Sequence, residues 1–363
     1  MNRRDFLSTA AAGFSTAGLY AMPAPISSSA HSLPRLRGVT LAGAEFGVKP
    51  GEFTNESLGE HGRTYLYNSE RTVAYFAGHG FSLFRIPFRW ERIQPRLGEP
   101  LDSVELGRLR EMVGHVKAHG GQAILDVHNF ARYAVQRDEE AVEIIIDQEP
   151  GGFAVTRKNF ADLWRRLSDV FRGESAIYGY GLMNEPHHMG TSDWKLISQA
   201  AVDAVRANND KTLLLIPGLD WSSAERFADA NGTRAWINDP ADHIAYEAHC
   251  YFDHDSSGTY KQSYDKELEQ DKALEHRGVR RLIQFAGWCA VNGVRGFVGE
   301  YGVPNDDPRW LLCLRHFLDA LDKTGMPGCY WAAGEWWGDA DRLSIQPRRN
   351  WAEPAAQLKV LVG

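Results

Sequence analysis

Two glutamates carry the strongest chemical signal in the chain. Glu185 lies in "YGYGLMNEPHH" and Glu300 in "VRGFVGEYG", 115 residues apart, each following a mostly apolar run. Carboxylates are among the side chains least often buried, and they need a partner when they are. A strand that ends on one is aiming it at something. For Glu185 the competing reading is a turn, since Asn184 and Pro186 are turn residues and a Glu between them can sit in water. Two carboxylates facing each other across a pocket are what cleavage of a glycosidic bond needs: one protonates the leaving oxygen while the other attacks the anomeric carbon or activates water. A separation of about 5 to 5.5 Å gives retention of configuration, and about 6.5 to 9.5 Å gives inversion.

The elements that would position them are legible in the alternation of short apolar runs with amphipathic ones. Eight candidate strands begin at Arg37, Ser82, Gly121, Ile177, Thr212, His243, Val294 and Gly328. Helical periodicity covers Ser69 to His79, Leu106 to His119, Asn159 to Phe171, Trp194 to Asn208 and Trp310 to Thr324, with glycine stops expected at Gly120 and Gly325. Strands alternating with helices at this spacing predict an α/β fold, a single (β/α)8 TIM barrel, with Glu185 on the fourth strand and Glu300 on the seventh. Chemistry in such a barrel sits where the strands end. The other polar or aromatic groups expected there are Arg85, His128, Asn129, Asn184, His249, Tyr251 and Trp331. Singly, each is more often a structural residue; their common position is what favours a site.

Composition narrows the function. The net charge of −7 supplies no basic field for nucleic acid, and no Lys/Arg run marks a membrane surface. No GxGxxG follows the first strand, and no GxSxG elbow, P-loop or HExxH is present, so dinucleotide, serine-hydrolase, nucleotide and zinc-protease chemistry have no signal. The pair of carboxylates requires no cofactor and no metal. Asp253, His254 and Asp255 in "FDHDSSG" read more readily as a solvated loop than as metal ligands. The first 30 residues, with Arg3-Arg4-Asp5-Phe6-Leu7, a weakly apolar run and small residues at Ser28 to Ala30, have the order of a twin-arginine-type export signal. A single catalytic domain is then expected over residues 31–363, outside the cytoplasm and monomeric. Export permits disulfides. Cys250 with Cys289 and Cys313 with Cys329 are possible pairs, and burial as free thiols is equally open.

Several stretches together resemble glycoside hydrolase family 5: "FRIPFRW", "DVHNF", "LMNEP", "EAHCYFD" and "GEYG", in that order and spread over nearly the whole chain. "LAGAEFG" and "YWAAGEWWG" resemble more narrowly the bacterial and fungal endo-β-1,4-glucanases of that family. The resemblance implies Glu185 as acid/base, Glu300 as nucleophile and a β-glucan as substrate. Mannan, xyloglucan and mixed-linkage glucan remain alternatives, because the same acid and nucleophile serve all of them, and a barrel that binds carbohydrate without cleaving it is a more distant one.

The implied roles are consistent with the residues around them. Arg85 would favour ionised Glu300 and Tyr251 could donate a hydrogen bond to it, while Glu185 beside an anion should hold its proton. Asn184 is placed for a sugar 2-hydroxyl, and His128 and His249 for sugar hydroxyls or for orienting the carboxylates. Pyranose C–H faces pack on aromatic rings. Phe46, Trp90, Phe130, Tyr133, Trp221, Trp331, Trp336 and Trp337 are therefore the expected cleft lining, with Asn129 as a polar contact. Two features depart from the resemblance: Glu335 stands where a neutral residue is expected, and Ala134 to Phe153 reads as a long acidic loop.

Overall fold

A computed structural model describes residues 36–148, 154–338 and 341–363; the proposed export segment lies outside them. Eight parallel strands close into a barrel: β1 (Arg37–Leu41), β2 (Leu83–Phe88), β3 (Gln122–Val127), β6 (Ile177–Gly181), β7 (Leu213–Pro217), β8 (Ile244–His249), β9 (Gly296–Tyr301) and β10 (Gly328–Ala333), which pairs back to β1. All eight coincide with the expected runs. They are recognisable because strands buried on both faces read as continuous apolar stretches. The remaining two, β4 (Arg132–Arg137) and β5 (Glu140–Ile145), form an antiparallel hairpin after β3. Much of the expected acidic loop is thus sheet, and residues 149–153 of it lie outside the described chain.

The helices are α1 (Glu70–Gly78), α2 (Trp90–Ile93), α3 (Ser103–Ala118), α4 (Arg157–Phe171), α5 (Trp194–Ala207), α6 (Phe227–Asn231), α7 (Tyr264–Gln270), α8 (Arg277–Asn292) and α9 (Arg309–Thr324), with short α10 (Arg348–Trp351) and α11 (Leu358–Leu361) after the barrel closes and a 3-10 turn at Leu274–His276. Capping explains where two of them begin earlier than their apolar periodicity. Asp102 accepts from the backbone of Val104 and Glu105 to start α3, and Thr156 forms a reciprocal box with Asn159 to start α4. Gly325 ends α9 in the left-handed conformation at φ 71°.

The barrel interior is layered, and the two-residue period of strands sets the layers. Leu83, Ile124, Leu213, Leu215, Ala245, Phe297 and Cys329 fill one buried apolar cluster. Two residues further along the same strands stand Arg85, Asp126, Glu247 and Trp331, and two beyond Asp126 and Glu247 stand His128 and His249. An apolar plug therefore supports a charged layer, which supports the mouth.

One irregularity matters for the chemistry. Ala248 and His249 of β8 face Val298 and Glu300 of β9, and Gly328 and Tyr330 of β10 face Val298 and Tyr301, so β9 carries one extra residue against both neighbours. Such a bulge re-aims a side chain. Here it sets Glu300 opposite His249 at the mouth. Gly299 belongs to this bulge, and a Cβ on it would lie 1.9 Å from Glu247 Oε1, so glycine leaves the space that the Glu247 carboxylate fills.

All four cysteines are free thiols and buried, so neither pairing forms. Burial pushes the Cys250 thiol up to about 12. Among the described residues, no helix is long and apolar enough to cross a membrane.

Candidate active site

Glu185 follows β6 and Glu300 is the penultimate residue of β9, and the two carboxylates meet at the barrel mouth. Oxygens of Glu185 and Glu300 and a ring nitrogen of His249 lie within 4.8 Å of one another. That approach is closer than the roughly 6.5 to 9.5 Å of an inverting pair and favours the retaining arrangement. Glu185 sits at φ 44°, a left-handed conformation unusual for a residue with a side chain. Holding it there costs on the order of 1–3 kcal/mol, which the surrounding hydrogen bonds must offset.

The two carboxylates experience different surroundings. Glu300 is nearly buried, yet Arg85 Nη1 donates to its Oε1 at 2.8 Å and the Tyr251 hydroxyl donates to its Oε2 at 2.6 Å, with His249 Nδ1 3.6 Å away. Burial alone would raise its pKa; the charges of His249 and Arg85 and the Tyr251 hydrogen bond outweigh it and hold Glu300 below the usual carboxylate range. Among the described residues, no arginine pairs with Glu185. Burial and the neighbouring Glu300 charge raise its pKa against the opposing effect of His249, whose Nδ1 donates to Glu185 Oε1 at 2.7 Å. One carboxylate is thus poised as an anion and the other as an acid.

Arg85 is the centre of the charged layer. Besides Glu300 it donates to Asn184 Oδ1 at 2.7 Å and lies 3.1 Å from Asp126 and 3.6 Å from Glu247. Asn184 in turn donates from Nδ2 to His128 Nε2 at 3.2 Å, which places the ring proton of His128 on Nδ1, toward Asp126 Oδ2 at 2.9 Å. The Asn184 amide is therefore fixed at both ends, its oxygen by Arg85 and its nitrogen by His128. His249 Nε2 donates to Glu247 Oε1 at 3.3 Å. Burial would depress the His249 pKa, but Glu300, Glu185 and Glu247 raise it to about 10, so the ring is an imidazolium. Although Glu185, His249 and Glu300 have the spacing of a metal site, both His249 nitrogens carry protons and the ring charge opposes a cation.

Sequence reasoning missed Asp126 and Glu247. Each stands two residues before a mouth histidine on its strand, and that repeated i, i+2 pairing was the available signal.

The expected aromatic lining divides. Phe46, His128, Phe130, Trp331 and Trp336 border a cleft of about 580 Å³ together with Glu45, Arg89 and Glu143. Trp331 stacks on His128 at 5.5 Å and meets Trp337 edge-on at 5.9 Å, and Trp337 stacks on Phe46 at 6.0 Å. Trp221 is 38% exposed and stacks on His187 at 4.5 Å, with His188 edge-on. His187, also missed, donates from Nδ1 to the backbone oxygen of Glu185 at 3.0 Å and so ties the Trp221 stack to the Glu185 backbone.

Three expected contacts are instead structural. Trp90 is fully buried against Tyr133 and Phe160 and donates to Gln94 Oε1 at 3.0 Å. Tyr133, equally buried, donates to the Gln94 backbone at 2.8 Å. Asn129 is fully buried; it accepts from the Trp90 backbone at 2.8 Å and donates to Glu91, fastening the start of α2. Composition supplied these residues but not the direction they face. Asp253 accepts from Ser257 Oγ and from the backbone of Gly258 and Tyr260, so its oxygens shape their own loop.

This geometry coincides with a family relationship. The model of the cellulase family, glycosyl hydrolase family 5, matches residues 40–336. The chain belongs to glycosyl hydrolase family 5. It is 29% identical over 310 residues to endo-beta-1,4-glucanase A of Emericella nidulans, covering 83% of this chain and 84% of that protein. The structure of the Pseudomonas stutzeri endoglucanase Cel5A in complex with cellobiose superimposes with a TM-score of 0.77 at 33% identity, covering 92% of this chain and 94% of that one. An endo-beta-1,4-glucanase from Xanthomonas axonopodis pv. citri gives a TM-score of 0.75 at 31% identity, covering 90% and 97%.

Proposed function

We propose that the protein is a retaining endo-β-1,4-glucanase in which Glu185 is the acid/base and Glu300 the nucleophile. The observation that carries this reading is the pair of carboxylates within 4.8 Å, one held anionic by Arg85 and Tyr251, the other with a raised pKa. Glu300 attacks the anomeric carbon as Glu185 gives its proton to the departing oxygen, which leaves a glycosyl ester on Glu300. Esterification removes the Glu300 charge. The pKa of Glu185 then falls, and it takes a proton from the incoming water, whose oxygen displaces Glu300. The remaining N–H of Asn184 reaches the 2-hydroxyl, where a hydrogen bond strengthens as positive charge develops on the sugar.

The endoglucanase relatives, one of them described in complex with cellobiose, support a β-1,4-linked glucan as substrate. Two aromatic platforms, one at Trp331, Trp337 and Phe46 and one at Trp221, suit a chain gripped on both sides of the scissile bond. The Arg3-Arg4 pair and small-residue run support export of residues 31–363 after removal of the first 30. Reducing-sugar release from carboxymethyl cellulose, barley β-glucan, xyloglucan and mannan, with Glu185→Gln and Glu300→Gln alongside, tests the assignment. Preference for mannan or xyloglucan would replace the substrate; activity on none would replace the function.

A further inference from the structure

Glu335 stands in the turn after β10 and does not face the cleft. Its Oε1 accepts from the backbone of Ser69 at 3.0 Å, from Thr72 Oγ1 at 2.6 Å and from Ser69 Oγ. Its own backbone N–H donates to Asn68 Oδ1 at 2.8 Å, and Asn68 Nδ2 donates to Ala42 O at 2.9 Å at the end of β1. Thr72 is buried and also accepts from Gln346 Nε2 at 3.0 Å. The turn is thereby fastened to the start of α1 through a carboxylate, and to β1 through an amide.

Directly after Glu335 come Trp336, which borders the cleft and is 39% exposed, and Trp337, which stacks on Phe46 and meets Trp331. Trp337 is braced by Phe46 and Trp331, whereas Trp336 is exposed, and the backbone that carries both is set by what anchors the turn. Ser69, at the N-cap of α1, makes no side-chain bond to its own helix, which leaves its hydroxyl for Glu335. A carboxylate at a helix N-terminus is also favoured by the helix dipole.

We infer that Glu335 is a positioning residue for the aromatic wall: by latching the turn to α1 it sets where Trp336 and Trp337 meet the sugar, and so how tightly a long β-glucan is held. This inference rests on the cleft being the glucan site.

The test compares wild type, Glu335→Ala, Glu335→Gln and the Ser69→Ala/Thr72→Val pair, using kcat and KM on cellohexaose and on an aryl cellobioside, with thermal midpoints. The latch predicts that Glu335→Ala raises KM for cellohexaose about tenfold, the equivalent of one aromatic contact. It predicts kcat within about twofold, a smaller effect on the aryl cellobioside, and recovery in Glu335→Gln, whose amide oxygen still accepts. Ser69→Ala/Thr72→Val should reproduce the KM effect if Glu335→Ala does not fold. A lower thermal midpoint with unchanged KM would overturn the inference and leave Glu335 a cap of α1. Tryptophan fluorescence titration with cellohexaose separates the two readings. Wild type that binds but does not cleave would sink the enzyme assignment and leave the latch to be judged on affinity, whereas unchanged affinity in Glu335→Ala would sink the latch.

Discussion

Tyr251→Phe removes one hydroxyl and with it the 2.6 Å hydrogen bond to Glu300 Oε2. A hydrogen bond to a charged acceptor contributes about 1.5–3 kcal/mol, and at about 1.4 kcal/mol per pKa unit its loss should raise the nucleophile's pKa by about 1 to 2 units. Arg85 at 2.8 Å and the His249 charge remain, so Glu300 stays the more acidic member of the pair. Profiles of kcat/KM against pH on a soluble cello-oligosaccharide report the acid and base of the free enzyme. The acid limb, where Glu300 becomes protonated, should move up by about 1 to 2 units, costing roughly 10- to 100-fold below it. The alkaline limb, where Glu185 loses its proton, should move less. Because the carboxylates interact, both limbs belong to the pair. An acid limb that stays in place in a folded variant would refute the claim that Tyr251 keeps the nucleophile ionised.

Glu185→Ala should lower turnover of β-glucan by about 10²- to 10⁴-fold, while an aryl cellobioside with a good leaving group is spared in the first step and regains turnover with azide; no response to azide in steady-state kinetics would contradict the base role. Trp90→Ala should cost about 3–5 kcal/mol in chemical denaturation, because it empties a buried site, whereas Trp221→Ala should leave stability nearly unchanged and raise KM; the reverse pattern would mean the two residues have been placed on the wrong faces. Glu45 has its pKa raised by burial to about 7, so its protonated form favours the folded state; that contribution is full below about 4.5 and is lost as pH rises through 7. Denaturation at pH 4.5 and pH 8 should show wild type losing about 3 kcal/mol more than Glu45→Gln, and equal losses would show that Glu45 ionises freely.

The barrel and its two glutamates were legible because doubly buried strands leave an apolar signature and their polar last residues stand out against it. The hairpin was not. Its strands carry Arg132, Arg137, Glu140 and Glu143 among the apolar positions, and its turn uses Asp138, at φ 53°, rather than the Asn-Gly that marks a hairpin. Direction was the second blind spot: Trp90 and Tyr133 are aromatic residues near strand ends, like Trp331, and only packing shows that they point into the core. The aim of Glu300 depends on a bulge, for which Gly299 was the sole trace in the sequence. Conversely, the carboxylate supports Asp126 and Glu247 follow from strand parity once His128 and His249 are placed.

The central claim is that Glu300 becomes covalently attached to the sugar. Peptide mapping by mass spectrometry after inactivation with an activated 2-deoxy-2-fluoro-cellobioside tests it most directly, since the fluorine slows hydrolysis of the ester more than its formation. The account predicts one glycosyl group, on Glu300. A label on Glu185, or time-dependent inactivation with no label on either glutamate, would contradict it.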